Sequence, residues 1–203
     1  MKKIISNNAR GPVDHDVRDQ IVEAANQHFS QYGYGKSTVS DLAKSIGFSK
    51  AYVYKFFESK QAIGEVICAR CLDSIMASVN SKLKESTSPP MKFRILFNGL
   101  VDSGLELFFQ DYKLYEIVTY AASEKWPPTI VYEGEIKNIL EAILREGRES
   151  GDFERKTPLD ETVESIYLTM KGFINPLLMQ HNLDLVKEAP GLLSALILRS
   201  LAP

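Results

Sequence analysis

Apolar residues recur at helical spacing along almost the whole of this chain, and the alternation that marks a strand appears nowhere at length. From about Asp14 to Tyr32, Val17, Ile21, Ala25 and Phe29 return every four residues, with Ala24 and Tyr32 widening the stripe. Asp14, Asp16 and Asp19 enrich the first turns, as suits the positive end of a helix, and Gly33 and Gly35 close it. Between Thr38 and Lys60 the pattern predicts two short helices. Val39, Leu42, Ala43 and Ile46 make the stripe of the first, which Thr38 can cap while Asp41 reaches back from capping-box spacing. Gly47 supplies a left-handed turn, and Ser49 can cap a second helix from Lys50 to about Phe57. Two short helices across a tight glycine turn make a helix-turn-helix.

A longer helix opens at Ser59-Lys60 and reaches about Lys84, with Ile63, Ile67, Leu72, Ile75, Val79 and Leu83 on a broad apolar face. Glu85 to Pro90 reads as a loop. Met91 to about Phe109 and Tyr112 to Ala122 are apolar on more than one side, as central helices of a bundle are. Pro127 is tolerated in a first turn and opens a helix that runs to about Glu149 and ends at Ser150-Gly151-Asp152-Phe153. Leu159 to Gln180 and Gly191 to Leu201 complete the series, both so apolar that the core or a partner subunit must cover them. The expected fold is all-α: three N-terminal helices with a helix-turn-helix, joined by a long helix to a C-terminal helical domain, about nine helices together. No internal repeat or low-complexity tract interrupts it.

In the second helix of the helix-turn-helix, Val53, Phe56 and Phe57 fall where they can lock it onto the first, leaving Lys50, Ala51, Tyr52, Tyr54 and Lys55 to project elsewhere. The run Tyr52-Val53-Tyr54-Lys55-Phe56-Phe57-Glu58-Ser59-Lys60 resembles the DNA-binding region of the TetR family of transcriptional regulators, and Ile21, Ala24-Ala25, Phe29 and Gly33 look like that family's first helix. The resemblance covers about Asp14 to Lys60. It implies a homodimeric, ligand-responsive regulator, most often a repressor, whose subunits each present one helix to a major groove of a palindromic operator in double-stranded DNA. Lys2, Lys3 and Arg10 without an apolar period read as a flexible basic arm (1–13), and with the resemblance the chain divides further into a DNA-binding domain (14–60) and an effector-binding and dimerisation domain (61–203). The residues expected on DNA are Thr38, Ser49, Lys50, Ala51, Tyr52, Tyr54, Lys55 and Lys60, with Lys50, Ala51 and Tyr52 on bases and Tyr54 and Lys60 on phosphates. A constitutive DNA-binding protein without an effector is the main alternative.

Charge sharpens this picture more than composition does. The 203 residues are 44% hydrophobic and 25% charged, enough for one large or two small domains. Through Lys60 the balance is +3 and beyond it −5, so a basic surplus lies with the helix-turn-helix and the acidic remainder speaks against coating nucleic acid along the whole surface. Met1 to Ile5 begins like a secretory n-region, but Ser6-Asn7-Asn8 follows and no apolar run approaches the roughly 20 residues of a membrane span, so a cytoplasmic protein without membrane contact is expected. Cys68-Ala69-Arg70-Cys71 has no second cysteine pair to complete a zinc site, and His15, His28 and His181 are scattered. No metal or cofactor is expected; a thiol-redox sensor through Cys68 and Cys71 is a minor alternative. Paired Glu-x-x-His motifs, phosphate loops and nucleophile elbows are absent, which leaves an enzyme without its usual signatures.

Two further groups stand out. Aromatic residues crowd the middle of the chain, where Phe97, Phe108 and Trp126 accompany Glu116, Tyr120 and Glu124 at i, i+4 and i+8; together they are the expected lining of an effector cavity suited to a cationic or hydroxylated aromatic molecule. Phe173, Leu177, Leu193 and Ile197 are the expected centre of a four-helix interface between subunits.

Overall fold

The computed structural model describes residues 12–203, with side chains from residue 15 onward. The expected basic arm therefore lies outside the described residues, except that the backbone at its last two positions opens the first helix. Among the described residues the structure is entirely helical between turns, in two compact units that divide after Ile67.

The first unit contains α1 (Pro12–Tyr32), α2 (Val39–Ser45), α3 (Lys50–Val53) and the first turns of α4 (Lys60–Leu83). Ile21, Ala25, Phe29, Leu42, Val53 and Ile63 are fully buried in it. Each side chain of valine size or larger removed from water this way contributes about 1.5–3 kcal/mol before entropy is counted. The second unit takes the rest of α4, then α5 (Pro89–Gln110), α6 (Tyr112–Ser123), α7 (Pro127–Ser150), α8 (Leu159–Ile174), α9 (Pro176–Met179) and α10 (Ala189–Ser200). Helix α5 is its centre and packs against α6, α7, α8 and α10, burying Phe93, Leu96, Phe97 and Leu100 against Tyr115, Leu140 and Met170. At the end of α7, Gly151 takes φ +86°, and the Phe153 ring folds back onto Gly147, where a Cβ would lie 2.0 Å from the ring.

Three boundaries differ from expectation, two of them at prolines. Pro89 and Pro90 are the first turn of α5 and not part of the preceding loop, because a first-turn residue needs no amide hydrogen. The expected helix from Leu159 to Gln180 stops at Ile174; Pro176 cannot donate to the continuing ladder, and the short α9 restarts under a cap in which the Asn175 side chain accepts from the Leu177 and Leu178 amides. That break makes ten helices among the described residues. Helix α3 is regular only to Val53, after which Lys55 and Phe56 donate to carbonyls three residues back and tighten the last turn. No helix among the described residues is long and apolar enough to cross a membrane.

Candidate nucleic-acid interface and a cavity in the second unit

The helix-turn-helix is set by short-range hydrogen bonds. The Asp41 amide donates to Thr38 Oγ1 at 3.2 Å, and the Thr38 hydroxyl donates to Asp41 Oδ2 at 2.6 Å, a bond that holds the Asp41 carboxyl below its usual range. Gly47 turns the chain at φ +72°, with the Phe48 amide donating to the Ala43 carbonyl at 2.9 Å. Ser49 Oγ then accepts from the Tyr52 amide at 3.1 Å and starts α3.

Helix α3 is anchored from one side. Val53 and Phe57 are buried, Phe56 is half-buried, and Lys50, Ala51, Tyr54 and Lys55 are exposed. Tyr52 packs edge-on between Phe48 and Phe56, at 5.0 and 5.3 Å between ring centroids. The Lys55 ammonium lies 5.6 Å from the Tyr52 ring and the Lys50 ammonium 5.7 Å from that of Tyr54, so the surface α3 leaves uncovered carries two ring–cation pairs. Such a face offers ammonium donors to phosphates and base edges and flat rings to sugars and thymine methyls. Thr38 and Ser49, at the starts of α2 and α3, are also exposed.

Two basic residues of the same unit brace this face. Arg18 of α1 donates from Nη1 to the Phe56 carbonyl at 2.7 Å and stacks its guanidinium 4.2 Å from the centroid of Phe57. Nothing local in the sequence marks it, since its partners lie 38 and 39 residues away. Lys60, expected from sequence to be free for a phosphate, donates from Nζ to the carbonyls of Tyr34 at 2.9 Å and Ser37 at 3.1 Å and lies 4.3 Å from the Tyr34 ring centroid. Two of its three N–H donors are thus committed within the unit, and partial burial lowers its pKa.

The second unit has a partly open cavity of about 370 Å³. Its wall is apolar at Leu72, Val118, Ile130, Ile136 and Ile174, and polar at Lys125, Thr129, Glu133, Tyr167, Lys171 and Asn175. None of the six residues expected to line an effector site lines this cavity. Phe97 is wholly inside the core, Phe108 packs edge-on against Tyr112 and Tyr115, and Trp126 is buried with its ring edge-on to Tyr120. Glu116 pairs with Lys113 at 3.0 Å, while Tyr120 and Glu124 are exposed. Helix α6 turns Tyr115, Val118 and Ala121 inward, so the stripe through Glu116, Tyr120 and Glu124 faces out. Burial raises the pKa of the Tyr167 phenol on the cavity wall, with Glu133 adding to the shift, and that of Tyr132 beside it.

Three of the four expected interface residues pack in or against the core of their own chain. Ile197 belongs to the core of its own chain, Phe173 and Leu193 pack against that core, and Leu177 is half-buried. On α8 and α10, two helices that pack on each other, the large apolar side chains left exposed are Leu168 (58% exposed), Leu192 (68%) and Leu196 (55%). Cys68 is buried and Cys71 half-buried, and neither is in a disulfide. No cluster of three or more metal-ligating side chains occurs among the described residues.

Comparison with known proteins accounts for most of the chain. The family model "Bacterial regulatory proteins, tetR family" matches residues 21–66, and "Tetracyclin repressor-like, C-terminal domain" matches residues 89–189. The chain is 23% identical over 171 residues to the HTH-type transcriptional repressor DhaR of Mycobacterium sp. (strain GP1), covering 82% of this chain and 84% of that protein. It is 33% identical over 90 residues to IcaR of Staphylococcus aureus (strain Newman), the negative transcriptional regulator of the biofilm operon icaADBC, covering 42% of this chain and 47% of IcaR. Among solved structures it resembles the transcriptional regulator FadR from Bacillus subtilis in complex with stearoyl-CoA, with a TM-score of 0.63 at 21% identity, over 87% of this chain and 97% of that one.

Proposed function

Because the chain belongs to the TetR family of bacterial regulatory proteins and is a DNA-binding transcriptional regulator, we propose that it works as a homodimeric repressor, in the cytoplasm, released from a palindromic operator by a small molecule bound in the second unit. The observation that carries the DNA side is the division of labour on α3. Val53 and Phe57 hold it from within, while Lys50, Ala51, Tyr54 and Lys55 remain in solvent with Tyr52 at the edge. Lys50, Ala51 and Tyr52 read base edges; Thr38, Ser49, Tyr54 and Lys55 hold phosphates; Lys60 braces the loop before α2. Effector binding is supported by the cavity and by the match of residues 89–189 to a tetracyclin repressor-like domain. Release then follows from a ligand that binds the non-DNA-binding state more tightly, since only differential affinity shifts an equilibrium.

Selection from a random duplex pool should enrich a palindrome. On that duplex Lys55→Ala should weaken binding and reduce the slope of log affinity against log salt by about one. Tyr52→Ala should instead change the preferred base in each half-site. A pool that enriches no palindrome, or a Lys55→Ala protein with an unchanged salt slope and altered base preference, would overturn these assignments.

A further inference from the structure

Taking the second unit as the effector-binding part, the structure assigns its cavity to a small amphipathic anion, a carboxylate on a short apolar body, held by Lys125 and Lys171. Both lysines stand on the cavity wall, one just before α7 and one in α8. Among the described residues neither has a carboxylate within salt-bridge distance. The acid on the same wall, Glu133, lies 3.5 Å from Lys137, which also holds Glu164 at 2.7 Å and sits outside the lining. Lys125 is solvent-exposed and Lys171 half-buried with its ammonium 5.7 Å from the Tyr167 ring centroid, so the wall carries two ammonium-bearing residues that no carboxylate engages and with which an anion can pair. The apolar remainder, Leu72, Val118, Ile136 and Ile174, suits a hydrocarbon body.

The backbone gives a second, independent sign. Lys125 has φ +53° and is the one non-glycine residue at positive φ among the described residues. It occupies the left-handed position that ends α6, where the Trp126 amide donates to the Ala121 carbonyl at 2.9 Å, a place where glycine fits without strain. Folding alone would favour glycine there, whereas a lysine puts an ammonium on the cavity wall. The start of α7 offers no substitute: Pro127 and Pro128 carry no amide hydrogen, and the Thr129 and Ile130 amides both donate to the Trp126 carbonyl. A volume of about 370 Å³ holds roughly a dozen non-hydrogen atoms at about 30 Å³ each, which suits a medium-chain acid and excludes a long-chain thioester without rearrangement.

Calorimetric titration of the full chain with octanoate, octanol and octylamine tests the assignment. Octanoate should bind at least tenfold more tightly than either analogue. Lys171→Met should lower octanoate affinity about tenfold. Lys125→Gly should do the same while melting at the same or a higher temperature, because glycine accepts that backbone angle freely, so a loss of binding cannot be laid to unfolding. Equal affinity for octylamine, unchanged octanoate affinity in both variants, or no binding of octanoate would each overturn the assignment. Operator release is scored separately on labelled DNA. Octanoate bound without release keeps the anion site and sinks the effector reading; release by the neutral or cationic compound alone does the reverse.

Discussion

Cys71 lies half-buried, and burial together with the Asp111 carboxylate pushes its thiol up to about 12. A raised thiol pKa keeps the neutral, unreactive form through the physiological range: at pH 8 about one molecule in ten thousand carries the thiolate. Cys68, wholly inside, is no better placed. Iodoacetamide at pH 8 should therefore label the native protein at least about a hundredfold more slowly than the urea-unfolded chain, and Cys68→Ser with Cys71→Ser should bind operator normally. Fast labelling of Cys71 in the folded protein would restore the redox reading. At this scale the legible residues are those whose partners lie within one turn. Thr38 with Asp41 and Ser49 with Tyr52 can be read from spacing because the bonds close over three residues. The role of Lys60 cannot, because the Tyr34 and Ser37 carbonyls reach it from 26 and 23 residues back, through a fold that must exist first.

Among the elements, α3 is as short as α9 and no more able to hold its own shape. Four regular residues are far below the length at which a helix persists unaided, so its geometry is imposed from outside, and Arg18 on α1 is part of that imposition. Arg18→Gln removes both the stack on Phe57 and the bond to the Phe56 carbonyl. Operator and non-specific duplex should then lose affinity together, by about tenfold, with total helicity by circular dichroism almost unchanged. Loss confined to one base pair of the operator would place Arg18 on DNA and remove it from this role. Periodicity found the helices well but not their phase. Glu116, Tyr120 and Glu124 do share a stripe, yet spacing alone does not say whether a stripe faces core or solvent, and here Val118 and Ala122 own the cavity side. Lys125 and Lys171 escaped notice because a cavity wall assembled from α4, α6, α7 and α8 leaves no contiguous signature.

For the whole molecule, the excess apolarity of α8 and α10 was readable, but a helix apolar on nearly every side does not show which residues its own core claims. The structure gives Ile197 to the core and leaves Leu192 and Leu196, like Leu168 on α8, in solvent. Leu192→Glu with Leu196→Glu should yield folded monomers in sedimentation, whereas Ile197→Glu should lower the melting temperature steeply by placing a charge among buried side chains. A dimer that survives the first pair of substitutions would move the interface elsewhere. The packing of α10 on α5 carries a consequence for synthesis. The helices of the first unit meet neighbours a few tens of residues away, so that unit has what it needs to close soon after its last residues leave the ribosome. Helix α5 must wait about a hundred codons for Ile197 and Leu201. Until they arrive, the apolar face of α5 stays open in the nascent chain, and a translational pause in that interval leaves a finished DNA reader attached to an unfinished, chaperone-prone second unit.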